Sequence, residues 1–196
     1  MKQNGTILKT LLLGMCLTAF IQCKKGEDDP ALTLRTRKAR VVGDWKAVSG
    51  TSSYSDEGPS FKNSSEVTYD GINYKGIETV ASGNDSQRSS FSGTFSYEIL
   101  FESNGRYKIT ETYNGKPFVS TGVWNFTGNV GEFKNKEQIV LTQQNYQGNN
   151  FKGNTIYQTY NIKELRNKKL VLYAQSSSEY NGYSQNQSQQ FTFEHK

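Results

Sequence analysis

Two Asn-Gly steps, at 104–105 and 114–115, punctuate a run of alternating aromatic, aliphatic and polar residues from Phe91 to Phe126. No other feature constrains the fold of this chain as much. Asn-Gly between alternating runs favours a two-residue type I′ turn, because both residues tolerate positive φ. Such a turn at Asn114-Gly115 sets Tyr113 opposite Lys116, Glu111 opposite Phe118, Ile109 opposite Ser120 and Tyr107 opposite Gly122. Trp124 and Phe126 then share the face of Tyr107 and Ile109, since side chains alternate with period two. Gly122 leaves room for the Tyr107 ring.

One turn upstream the same geometry fails. A two-residue turn at Asn104-Gly105 would set Phe101 against Lys108 and bring the apolar faces into conflict. A three-residue loop, Ser103-Asn104-Gly105, with Gly105 in the left-handed position of a bulge, aligns them. Phe101 then faces Tyr107, Ile99 faces Ile109, Tyr97 faces Glu111 and Phe95 faces Tyr113. The opposite face carries Ser96, Glu98, Lys108, Thr110, Thr112 and Thr121. This predicts an antiparallel sheet, dry inside and wet outside.

The remaining chain extends the same theme. After Cys23 it holds 24 of its 25 aromatic residues but only seven leucines and five alanines, a composition of strands and turns rather than helices. Segments 41–50, 66–80 (broken at Asp70-Gly71), 91–101, 106–113, 116–126, 138–143, 155–164, 169–175 and 189–194 read as strands. Segments 51–63 and 81–90 read as polar loops, and 31–40 as a short helix with Leu32 and Leu34 as its large apolar residues. Eight to ten short strands predict an all-β sandwich or a meandering barrel.

The amino terminus reads as an address. Lys2 and Lys9 precede an apolar run from Thr10 to Ile21, about a dozen residues and too short to span a bilayer. Cys23 follows, then a polar stretch containing Glu27-Asp28-Asp29. A cysteine closing an apolar run before a charged tether resembles a bacterial lipoprotein signal. That resemblance implies cleavage after residue 22, acylation of Cys23 and an outer-membrane anchor, since two or more chains hold firmly where one does not. The acidic triplet resembles a surface-export signal, or is simply a solvated tether. The chain then divides into a signal peptide (1–22), an acylated tether with a short basic helix (23–39) and a β domain (40–196). Removal of Lys2 and Lys9 leaves 21 basic against 18 acidic residues, little basis for a nucleic-acid partner. Arg35, Arg37, Lys38 and Arg40 form a basic cluster, read as a solvated helix face or a contact with anionic headgroups.

Gly43-Asp44-Trp45 on the first β segment, preceded by a helical turn, resembles the lipocalin superfamily. The sequence Ser103-Asn104-Gly105-Arg106-Tyr107, a hairpin and then Gly122-Val123-Trp124 resembles the lipocalin-like domains of bacterial lipoproteins. The resemblance implies an all-β, antiparallel up-and-down barrel with Trp45, beside Gly43, plugging its closed end. It also implies a small apolar or amphipathic ligand inside. The wall would draw on Phe95, Tyr97, Ile99, Tyr107, Ile109, Glu111, Tyr113, Phe118 and Trp124; the alternative is an ordinary filled core.

Glu111 is the one acid on the inner face of its strand. It is expected to meet a ligand's polar end, to accept the Tyr97 hydroxyl, or to sit wet at the barrel mouth. No enzymatic activity, cofactor or metal is expected. His195, next to the carboxyl end, is the sole imidazole, and no glycine-rich phosphate loop occurs. Two other functions fit the composition. Tyr146, Phe151, Tyr180 and Tyr183 lie among Asn, Gln and Gly, as in a glycan-binding surface module. A structural subunit docked on an envelope protein is the other.

Overall fold

The computed structural model describes residues 34–128, 136–143 and 156–196. Cys23 and the rest of the amino-terminal address lie outside the described residues, as do Tyr146 and Phe151. One short helix, α1 (Arg37–Val41), leads into ten strands. These are β1 (Gly43–Gly58), β2 (Phe61–Tyr69), β3 (Asn73–Ser82), β4 (Asp85–Phe101), β5 (Arg106–Tyr113), β6 (Lys116–Thr127), β7 (Gln138–Gln143), β8 (Ile156–Leu165), β9 (Lys169–Tyr180) and β10 (Tyr183–His195). Each strand pairs antiparallel with the next, and β10 pairs with β1 to close an up-and-down barrel.

The registers derived from the Asn-Gly steps are the registers found. Tyr113↔Lys116, Glu111↔Phe118, Ile109↔Ser120 and Tyr107↔Gly122 pair across β5 and β6. Phe101↔Tyr107, Ile99↔Ile109, Tyr97↔Glu111 and Phe95↔Tyr113 pair across β4 and β5. Asn114 and Gly115 both have positive φ, 49° and 80°, as a type I′ turn requires. Glu102 and Arg106 close the three-residue loop through Glu102 N–H to Arg106 O at 2.9 Å, with Gly105 at φ 87°.

The ring is not uniform along its axis. Gly43–Lys46 of β1 pairs directly with Glu98–Phe101 of β4, so eight strands close that end. From Gly50 onward β1 pairs with β2 instead, and the β2–β3 hairpin stands between β1 and β4. The turn at Asp70-Gly71-Ile72 is the wedge. One Asp70 carboxylate oxygen accepts the N–H groups of Ile72 (3.1 Å) and Asn73 (2.8 Å), while the Ile72 carbonyl accepts Phe95 N–H at 2.9 Å. Those backbone bonds, Asn73 first, hold the Asp70 carboxyl below its ordinary value. Barrel width grows with strand number, so the ten-stranded end is the wider one.

The eight-stranded end is packed solid. Trp45, Ile99, Phe101, Ile139, Leu165, Leu170 and Phe193 are fully enclosed. Trp124 lies edge-on to Phe101 and Phe126, and its indole N–H donates to Glu102 O at 3.1 Å. Helix α1 covers this end, with Thr36 capping the Ala39 N–H and Trp45 Nε1–H donating to Val41 O at 2.7 Å. Two of the four residues of the basic cluster depart from the expected solvated face, while Arg35 and Lys38 are exposed. Arg37 and Arg40 are buried, and Arg40 Nη1 donates to the Leu165 carbonyl. Helix α1 is also shorter than the expected 31–40, and Leu34 precedes it, almost fully exposed.

Gly43 has a physical reason that its motif does not state. His195 stacks on Trp45 with ring centroids 3.9 Å apart, and a Cβ on Gly43 would collide with the imidazole. The carboxyl end is held besides by Lys196, whose Nζ lies 2.6 Å from a Glu98 carboxylate oxygen.

Gly122 answers the same kind of constraint. A Cβ there would strike the Thr142 carbonyl oxygen on β7 and stand 2.8 Å from the Tyr107 ring. Gly122→Ala is expected to cost about 1–3 kcal/mol by overpacking, read as a lower urea midpoint. An unchanged midpoint would mean that β6 and β7 are not in close contact.

Candidate functional site

Where the wedge widens the ring, the interior opens into a cavity of about 1150 Å³. Gly50, Thr51 and Ser52 on β1 line it, with Val67 and Tyr69 on β2 and Tyr74 on β3. The facing wall carries Phe91, Phe95 and Tyr97 on β4, Ile109, Glu111 and Tyr113 on β5, and Phe118, Val119 and Ser120 on β6. Gln143, Gln158, Tyr160, Gln189 and Phe191 complete it from β7, β8 and β10.

Six of the nine expected wall residues stand on this surface: Phe95, Tyr97, Ile109, Glu111, Tyr113 and Phe118. The other three do not. Ile99, Tyr107 and Trp124 belong to the packed eight-stranded end, where Tyr107 fills the space beside Gly122. Their strands pass from the wide end into the narrow one, and a continuous apolar face becomes cavity wall above and filled core below. Gly43 and Trp45 also lie in the packed end.

Aromatic rings pack against one another along the wall. Tyr69 packs edge-on to Phe95 (5.1 Å between centroids), Tyr97 edge-on to Phe191 (5.1 Å), and Phe95 against Tyr113 (4.5 Å). The Tyr69 hydroxyl donates to Ala47 O at 3.4 Å, and Gln189 Nε2–H donates to the Tyr160 hydroxyl at 3.3 Å. Burial raises the Tyr97 phenol well above its ordinary value, with the neighbouring Tyr160 hydroxyl contributing. Burial likewise pushes Tyr160 and Tyr113 up to about 12. All three stay neutral at physiological pH. The Tyr97 hydroxyl is engaged with Tyr160, whereas Glu111 acts on Tyr97 only through space.

Glu111 is half-buried in this wall and is its one ionisable carboxylate; no Lys, Arg or His is among the described lining residues. Burial raises its carboxyl from the ordinary 4.5. A folded-state value above the unfolded one favours folding fully below about pH 4.5, a contribution lost as pH rises through the raised value. Glu111→Gln removes that loss. The variant is expected to melt above the parent at pH 7, with the gap closing toward about pH 4. A gap independent of pH would contradict the assignment.

Tyr180 and Tyr183 face each other across the Asn181-Gly182 turn that joins β9 to β10, and both are exposed. They stand on a regular hairpin, not in an irregular loop. Comparison of the chain with protein-family models, curated proteins and solved structures returns no significant match.

Proposed function

We propose that this chain is a bacterial outer-membrane lipoprotein, anchored through Cys23 and carrying a lipocalin-like barrel that binds a small apolar or amphipathic molecule without transforming it. One observation carries the reading: a cavity of about 1150 Å³, walled by aromatic rings, at the wide end of a barrel whose other end is filled. Its volume lies just above the roughly 300–1,000 Å³ of typical small-molecule sites, and its wall combines aromatic rings with Ser, Thr, Gln and Glu side chains. Because the narrow end already supplies a packed core, the wide end is free for a guest.

Native mass spectrometry of residues 23–196 carrying Cys23→Ser, after exposure to a bacterial lipid extract, tests carriage. A saturating mass adduct is expected. Persistently bare protein would transfer weight to the glycan reading, which rests on the exposed pair Tyr180 and Tyr183. The anchor has a separate test. Full-length Cys23→Ser should lose palmitate incorporation, and a variant that still incorporates it would remove the anchor from the account.

A further inference from the structure

We infer that the cavity selects a cationic amphiphile, an alkyl-ammonium head seated on Glu111 with its chain along the aromatic wall. This deepens the carrier reading and rests on it. The argument begins with charge. Among the described residues lining the cavity, Glu111 is the only one bearing a formal charge at neutral pH, and no basic side chain offsets it. An anionic head would meet an unopposed carboxylate in a partly desolvated space, which costs free energy with nothing to repay it. A neutral head would leave the carboxylate's burial uncompensated. A cation compensates it.

The rings point the same way. The register places four aromatic side chains around Glu111: Tyr97 directly opposite on β4, Phe118 directly opposite on β6, Tyr113 two residues along, and Phe95 opposite Tyr113. Phe95 and Tyr113 have centroids 4.5 Å apart, and Tyr113 and Phe118 lie edge-on at 6.2 Å. All four belong to the cavity wall. Aromatic faces carry partial negative charge and attract ammonium groups, most strongly where water is partly excluded. With the Tyr97 hydroxyl engaged by Tyr160, the carboxylate has no hydrogen bond to the phenol paired opposite it to give up when a cation arrives. An acid within a ring of aromatic side chains is the chemistry that recognises a substituted ammonium ion.

Three probes of equal chain length separate the contributions: decyltrimethylammonium, decanol and decanoate, each titrated below its micellar concentration into residues 23–196 carrying Cys23→Ser, by isothermal calorimetry. The expected order is decyltrimethylammonium first, about tenfold or more tighter than decanol, with decanoate weakest. Glu111→Gln should bring the cation to within about twofold of decanol, by weakening the cation and by sparing the alcohol the cost of burying a carboxylate. Equal binding of cation and alcohol, or tightest binding of decanoate, overturns the inference while the carrier reading stands. Binding of none of the three overturns both. The ranking on the parent protein needs no variant, so it holds even if Glu111→Gln fails to fold.

Discussion

Trp45→Ala is expected to lose about 3–5 kcal/mol of stability, the range for removing a large buried aromatic side chain. The indole is fully enclosed at the narrow end, under α1 and against the His195 ring, and its N–H is satisfied by Val41 O at 2.7 Å. Truncation therefore opens a void at the point where the first strand, the last strand and the helix meet, and it leaves a buried carbonyl without its donor. Domains of this size hold about 5–15 kcal/mol in all, so the variant should lie near the edge of folding. At roughly 2–4 °C per kcal/mol its melting temperature should fall by about 6–20 °C. Trp45→Phe keeps one buried ring but loses the donor and part of the indole's volume, so its loss should be smaller than that of Trp45→Ala. Ligand binding below the melting temperature should survive both changes, because Trp45 does not line the cavity. A Trp45→Ala protein with parental stability would mean that the narrow end is not the folded core.

The second large effect comes from charge in the β8–β9 turn. Glu164 is buried, with Arg166 in contact with one carboxylate oxygen and Lys169 Nζ 2.7 Å from the other, while both cations keep substantial exposure. That asymmetry dictates which substitution hurts. Arg166→Ala combined with Lys169→Ala strands a carboxylate away from water, at a cost of about 3–5 kcal/mol. Glu164→Gln instead releases two cations that water already reaches, and the neutral amide retains hydrogen-bonding capacity, so the cost should be roughly 1–2 kcal/mol. Urea unfolding at pH 7 reads the order. If the double variant proves the more stable of the two, Glu164 is solvated and the pair is a surface contact.

The parts of this fold legible in the sequence were those where turn chemistry and hydrophobic alternation agree. Strands β4 to β6 have both, and every residue pair derived from the Asn-Gly steps recurs in the barrel. The wide rim has turns without alternation. Ser176 to Tyr180 pairs with Tyr183 to Gln187, and β1 runs on through Thr51–Gly58, yet these residues are largely wet on both faces. Ser, Gln and Asn on a wet ribbon look like loop, so 51–63 and 81–90 read as loops where the chain forms strands. Asn181-Gly182 carried the same turn signal as Asn114-Gly115, with both residues at positive φ, but it had no apolar run on either side to give it weight.

The site divides in the same way. Its β4–β6 wall was legible because local register sufficed, whereas Tyr69, Tyr160 and Phe191 come from strands brought together only by closure of the ring. Asp70-Gly71 was visible as a break, but its consequence depends on Ile72 bonding to Phe95 across the sheet. Pairing at that distance along the chain leaves no local pattern. His195 is the plainest case. A lone imidazole beside the carboxyl end gave no sign that it would stack on Trp45, and only the β1–β10 pairing brings the two together.

The central claim is that the guest is held inside the wide end and nowhere else. Amide NMR of the ¹⁵N-labelled mature chain, recorded during titration with decanol, tests it most directly. Shifts are expected to concentrate at Gly50–Ser52, Tyr97, Glu111, Tyr160 and Gln189, with Trp45, Ile99 and Trp124 unmoved. A titration that moves none of these cavity amides, or moves only Tyr180 and Tyr183 at the hairpin end, would contradict the account.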